Sequence, residues 1–277
     1  MRLNEKVALI TSSREGVCVE AAHLLAQAGA KIVICGRNAV QGRATVADIQ
    51  RNGGRACFIL TDIAVAADVQ AAIDETIATY GRLDILLNSA SSYHMRDSSL
   101  LEVSETTWDR MTETALKGTF LCCQYAIPFL QNAGNGTIIN LVEHSNAGQN
   151  HTVEGVCHGG VLALTCKIAQ QFSASSITAN LIWATDSPYT QLNSLTNKIV
   201  YGPNQIQSSQ ANSSQTSGNQ ASSHSSDVET PSTNSLADDN PTADSFDNVP
   251  EAVMYLATSG SLLHGCILMV TADENPD

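Results

Sequence analysis

The stretch that decides the fold comes first: "KVALITSSREGVCVEAAHLLAQAGAKIVICG", residues 6–36. It opens with a short β-branched apolar run, KVALIT (6–11), of strand length. After a polar loop, EGVCVEAAHLLAQAG (15–29) repeats apolar residues every three or four positions, the spacing of a helix that buries one face. Gly29 closes it, a residue that enters the left-handed conformation of a helix end without strain. KIVICG (31–36) is a second strand-length run. Strand, helix and strand in so short a span form a βαβ unit, whose two strands lie parallel with a right-handed crossover.

The same alternation continues outward. AVQGRATVADIQRNGG (39–54), VAADVQAAIDETIATYG (65–81) and TTWDRMTETALKGTFLCCQYAIPFLQNAG (106–134) carry helical spacing. ACFILTD (56–62), LDILLNSA (83–90), GTIINLV (136–142), ITANLIW (177–183) and GCILMVTA (265–272) read as strands, and VPEAVMYLATSGS (249–261) as a helix with Pro250 in its first turn. Strands this continuously apolar fit burial on both faces. The expected architecture is therefore α/β: one domain with a doubly wound parallel sheet of about seven strands and helices on both sides. The pattern stops near residue 203. Residues 203–248 are Ser, Asn, Gln, Thr and Asp with hardly any large apolar side chain. Such a tract cannot offset its ordering entropy, so it is expected to be a disordered insertion between 1–202 and 249–277 of the domain.

Composition narrows the partners. A chain of 277 residues, 43% hydrophobic, can bury a sizeable core. Its net charge of −13 is uneven: residues 199–277 hold ten acids and no base, whereas residues 1–198 carry a net of only −3. No basic stripe offers a nucleic-acid surface, and an acidic surface repels anionic lipid. No apolar run approaches the ~18 residues of a membrane span, and the N-terminal run is too short for a signal peptide. The eight cysteines form no C-x-x-C pair and lie mostly in apolar runs. They read as reduced core thiols of a cytoplasmic protein.

Several landmarks occur in a fixed order: TSSREGVC (11–18), Asp62, LDILLNSAS (83–91), W…LKGTF (108–120), GTIINL (136–141) and GGVLALT (159–165). Together they resemble the short-chain dehydrogenase/reductase family over about residues 3–190 and 249–271. The resemblance implies a Rossmann-type sheet, an NAD(P) cofactor, and assembly into dimers or tetramers. It lays the family's loop T-G-x-x-x-G-I-G on Thr11–Cys18, so Thr11, Ser13, Gly16 and Val17 would line the cofactor phosphates. Only the middle glycine, Gly16, is kept. The first and last are Ser12 and Cys18, whose side chains would crowd the pyrophosphate and weaken binding. Arg37 falls where a base often meets the NADP 2′-phosphate, and Glu15 where an arginine often does. The choice of nucleotide stays open, with a lean to NADP. Asp62 matches the residue that bonds the adenine amine, and Asn88 and Ala90 fall in the family's N-N-A-G turn.

The resemblance fails at the catalytic positions. The family's Asn, Ser, Tyr and Lys fall on Ala115, on Val142 and Glu143, on Glu154 and on His158. Residues 136–188 contain no tyrosine and a single lysine, Lys167. The Pro-Gly turn after the sixth strand is replaced by WATDSP (183–188). Reduction of a carbonyl needs a proton donor at the oxygen and polar groups for the developing oxyanion. The leading expectation is thus a family-fold protein without the standard reaction. It would be a structural or regulatory subunit, with weak or absent NAD(P) binding, in a homo-oligomer or beside an active relative.

Two other readings stand beside it: an NAD(P)-dependent oxidoreductase using Glu154 and His158, and a redox-neutral lyase using Glu143, Glu154 and His158. Glu154 and His158 are four apart and share a helix face. The plainer reading makes them a helix-surface contact in a vacated cleft. His144 and His151 would be needed for a metal site, but no H-E-x-x-H or cysteine-rich set accompanies them, and no metal is expected. His94 and His264 read as isolated loop or surface residues, and Trp108 and Trp183 as packing residues.

Overall fold

The computed structural model describes residues 3–11, 17–89, 99–144, 151–172, 174–175, 177–185, 248–259, 264–265 and 267–271. Strand β1 (Val7–Thr11), helix α1 (Val17–Gln27) and strand β2 (Lys31–Gly36) form the opening βαβ unit. Helix α2 (Ala39–Arg51), β3 (Arg55–Leu60), α3 (Ala66–Tyr80) and β4 (Ile85–Ser89) extend it. Helix α4 (Glu105–Met111), a π-helical segment (Thr112–Lys117) and α5 (Gly118–Asn132) lead to β5 (Gly136–His144). Then follow α6 (Thr152–Gln171), β6 (Ile177–Thr185), α7 (Val249–Thr258) and β7 (Ile267–Thr271).

The strands form one sheet in the order β3-β2-β1-β4-β5-β6-β7, every pair parallel. Alternate residues of each strand feed opposite faces. Ala8 and Ile10 join Leu25, Ile49, Val253 and Leu256 under α1, α2 and α7. Val7 and Leu9 join Ile73, Leu121, Ala126 and Ile168 under α3, α5 and α6. Strand order reverses between β1 and β4, and there the carboxyl ends of the strands leave the crevice in which ligands of such folds bind.

Three sequence expectations change. The helix expected over 106–134 is interrupted, because residues 112–117 take the wider π pattern. Strand β5 runs on to Glu143 and His144, and β6 to Thr185. The polar tract lies outside the described residues except for Asn248, whose side chain accepts from the Glu251 N–H at 3.0 Å and caps α7.

A buried carboxylate ties the sheet together at its other end. Asp84 accepts from Lys6 Nζ at 2.8 Å, Arg82 Nε at 2.7 Å and the Val7 N–H at 3.0 Å. Its backbone bonds Val7 on one side and Thr137 on the other, so one residue joins β1, β4 and β5. Burial pushes its carboxyl up, but the hydrogen bonds from Arg82, Lys6 and Val7 together outweigh burial and hold it below the ordinary range. All seven described cysteines are free thiols. Burial pushes Cys35 and Cys123 up to about 12, so both stay neutral. No described helix is long and apolar enough to cross a membrane.

Candidate functional site

The candidate nucleotide corner lies at the carboxyl ends of β1 to β4. Thr11 ends β1 and Val17 begins α1, whose first N–H groups would favour an anion at this end of the helix. Ser13, Gly16 and Ala90 lie outside the described residues. Cys18 is 6% exposed and belongs to the core between α1 and the sheet. Its thiol therefore packs in the helix–sheet seam. Arg37 is exposed after β2, and its Nη1 stands 4.0 Å from Oδ2 of Asp62 after β3. Asp62 Oδ1 also accepts from the Ala64 N–H at 3.1 Å. A guanidinium and a fixed carboxylate at this rim fit the adenosine end of a nucleotide.

Asn88 is different. Its side chain is buried, with Nδ2 donating to Asn140 Oδ1 at 2.9 Å and lying 3.4 Å from Cys123 Sγ. Its Oδ1 accepts from the Thr11 hydroxyl at 3.3 Å, and Thr11 Oγ1 accepts from the Ser89 N–H at 3.3 Å. Asn140 in turn donates to Thr165 Oγ1 at 2.8 Å, and that hydroxyl donates to the Val161 carbonyl at 2.7 Å. Sequence reading missed Asn140 and Thr165, because each looks like an ordinary polar interruption in an apolar element.

The second corner lies where β5, α6 and β6 meet. Ala115, in the π-helical segment, is buried in an apolar cluster with Met111, Val153 and Cys157. Val142 is buried with Val161 and Leu181, while Glu143 is half-buried at the end of β5. Glu154 and His158 are 5% and 1% exposed, so the pair faces the protein interior and is not the helix-surface contact expected. Helix α6 turns one continuous stripe inward (Val153, Glu154, Cys157, His158, Val161, Thr165), and the pair is part of it. His151 Nδ1 lies 2.8 Å from Glu154 Oε2, and His158 Nε2 lies 4.0 Å from Glu154 Oε1. The His158 ring meets Trp183 edge-on, centroids 5.7 Å apart. Trp183 Nε1 is buried with no hydrogen-bond partner among the described residues. No group of three His, Cys, Asp or Glu among the described residues is placed to hold a metal ion.

Two further expectations are corrected. Trp108 is 40% exposed on α4, so it is only partly a packing residue. His264 is not isolated: its Nδ1 accepts from the Ala179 N–H at 3.3 Å, and its Nε2 lies 2.6 Å from the Ala169 carbonyl. That pairing requires the proton on Nε2, and it joins the end of α6 to β6.

This strand order, with a nucleotide-type crevice at the switch point, defines the Rossmann class. Within it, the chain belongs to the short-chain dehydrogenase/reductase family: the model described as short chain dehydrogenase matches residues 6–197. Among curated relatives, the (2S)-[(R)-hydroxy(phenyl)methyl]succinyl-CoA dehydrogenase subunit BbsD of Thauera aromatica is 33% identical over 66% of this chain and 73% of its own. D-threitol dehydrogenase of Mycolicibacterium smegmatis is 32% identical over 73% of this chain and 76% of its own. The crystal structure of a hydroxysteroid dehydrogenase from Escherichia coli superposes with a TM-score of 0.69 at 22% identity, over 98% of both chains. That likeness bears on the fold alone.

Proposed function

We propose that this chain is a short-chain dehydrogenase/reductase that has left the family's tyrosine-dependent carbonyl–alcohol reaction. It serves as a structural or regulatory subunit of a homo-oligomer, or of an assembly with an active relative, in the cytoplasm. The observation that carries the reading is that the positions of the lost catalytic set, half-buried Glu143 apart, are absorbed into packing. Ala115 and Val142 are core residues, Glu154 is held by His151, and His158 is seated against Trp183. A residual nucleotide site fits at the adenosine end. The start of α1 would face the phosphates, Asp62 the adenine amine and Arg37 the 2′-phosphate, which favours NADP. A nicotinamide cofactor, when bound, would supply a hydride; this chain's own residues would then set only where the nucleotide sits. One relative is itself named as a subunit of a dehydrogenase, which supports a role in an assembly.

The test is a titration with NADPH and NADH together with a turnover assay on carbonyl substrates and alcohols. Binding without turnover, and recovery of an active relative on co-purification, are the expected results. Nucleotide-linked turnover would overturn the reading.

A second reading, an NAD(P)-dependent oxidoreductase with unusual catalysts, is favoured by the burial of Glu154 and His158, the latter edge-on to the Trp183 indole. The relatives named as dehydrogenases point the same way. Here the Glu154 carboxyl would give its proton to the substrate oxygen, His151 would return one from solvent, and the Trp183 N–H would steady the oxygen. Turnover that falls at least ~100-fold in Glu154→Gln is the signature of that reading. Redox-neutral turnover that also needs Glu143 would indicate a lyase.

A further inference from the structure

The buried bonds between β1, β4, β5 and α6 all run one way. The Ser89 N–H donates to Thr11, the Thr11 hydroxyl to Asn88, the Asn88 amide to Asn140, the Asn140 amide to Thr165, and the Thr165 hydroxyl to the Val161 carbonyl. Each side chain accepts from one neighbour and donates to the next, and Thr11, Asn88, Asn140 and Thr165 are all buried. In such a chain neither amide can flip alone, because turning Asn140 would set donor against donor and turning Asn88 acceptor against acceptor. The links also polarise one another.

We propose that Thr165 and Asn140 are positioning residues for the nucleotide corner, although neither lies at it. They fix the direction of the Asn88 amide. Through it they fix the Thr11 hydroxyl at the end of β1, whose hydrogen is committed to Asn88 and whose oxygen accepts from the Ser89 N–H. The bearing on nucleotide rests on the function proposed above; the hydrogen-bond direction does not.

Two substitutions separate hydrogen bonding from packing. Thr165→Val keeps the shape and removes the hydroxyl, whereas Thr165→Ser keeps the hydroxyl and removes the methyl. Amide hydrogen exchange is measured on the full chain without nucleotide. The expected result is that Thr165→Val speeds exchange at Ser89 by about tenfold relative to the global core, while Thr165→Ser leaves it unchanged. If Ser89 is unmoved by Thr165→Val, or Thr165→Ser disturbs it as much, the proposal is overturned and Thr165 is a packing residue. Should Thr165→Val not fold, the wild-type protein decides. The side-chain amide protons of Asn88 and Asn140 must exchange as slowly as core backbone, and solvent-rate exchange at either sinks the idea. Where NADPH binds, Thr165→Val weakens it and Thr165→Ser does not.

Discussion

Helix α6 carries two buried polar sets, at Glu154 and at Thr165, about three turns apart, and they are built on different principles. At Thr165 the set is neutral, its links to Asn140, Asn88 and Thr11 measure 2.8–3.3 Å, and it reaches the middle of the sheet. At Glu154 the set is ionisable, its contacts measure 2.8 and 4.0 Å, and it opens toward solvent through the partly exposed His151. Neutral amides and hydroxyls can sit in mid-core when every donor finds an acceptor. A carboxylate with imidazoles sits near an edge, where water limits the desolvation cost. The deeper set should therefore matter more to stability, and the shallower one more to any chemistry.

The sharpest way to break this contrast is Asn140→Leu. It removes the Asn140 acceptor from the Asn88 amide and the Asn140 donor from the Thr165 hydroxyl, leaving them only Cys123 Sγ and the Val161 carbonyl, and should cost about 2–4 kcal/mol in urea unfolding. A loss below ~1 kcal/mol would show that the neutral set is not the stronger one. Asp84 sharpens the contrast from the opposite end of the sheet, being a buried carboxylate that is fully paired. Its folded pKa lies below the ordinary 3.8, so its stabilisation is complete above that value and is lost as pH falls through the lower folded one. The urea midpoint should drop in that acid window, and Asp84→Asn should remove this part of the drop while lowering stability at neutral pH. Glu154→Gln keeps the shape and replaces the carboxyl by an amide, and its stability should stay within ~1 kcal/mol of wild type. A larger loss would place Glu154 with the structural set. The smallest effect belongs to Arg37→Ala: an exposed pair at 4.0 Å predicts a change under ~0.5 kcal/mol, but a loss of NADPH affinity relative to NADH in the titration.

The strands and most helices were legible because burial on both faces of a parallel sheet writes itself as apolar runs, KVALIT and KIVICG being the clearest. Periodicity also put Glu154 and His158 on one face of α6, but it could not say that this face turns inward, since both flank apolar residues and neither is apolar. Cys18 could be placed on α1 but not oriented. The π-helical segment left no trace, because TETALK carries good helix formers whichever hydrogen-bond pattern it takes. Asn88 stood out by resemblance. Its partners Asn140 and Thr165 come from elements 52 and 25 residues away along the chain links, and such pairings exist only once the sheet has been assembled. His264 was opaque for the same reason: its two partners, Ala169 and Ala179, lie far back in the sequence.

The π-helical turn at Thr112–Lys117 has a consequence best put in terms of genes. A π turn holds one residue more than an α turn, so the two helices it joins are in phase only if that extra residue is counted out. A one-codon deletion within 112–117 would close the turn to an ordinary α-helix and leave α4 and α5 facing as they do now. The same deletion inside α5 would rotate everything beyond it by about 100° and turn Leu130 away from the core it now fills. A one-codon deletion in this gene therefore has a permissive address along that helix, and Ala115 lies within it.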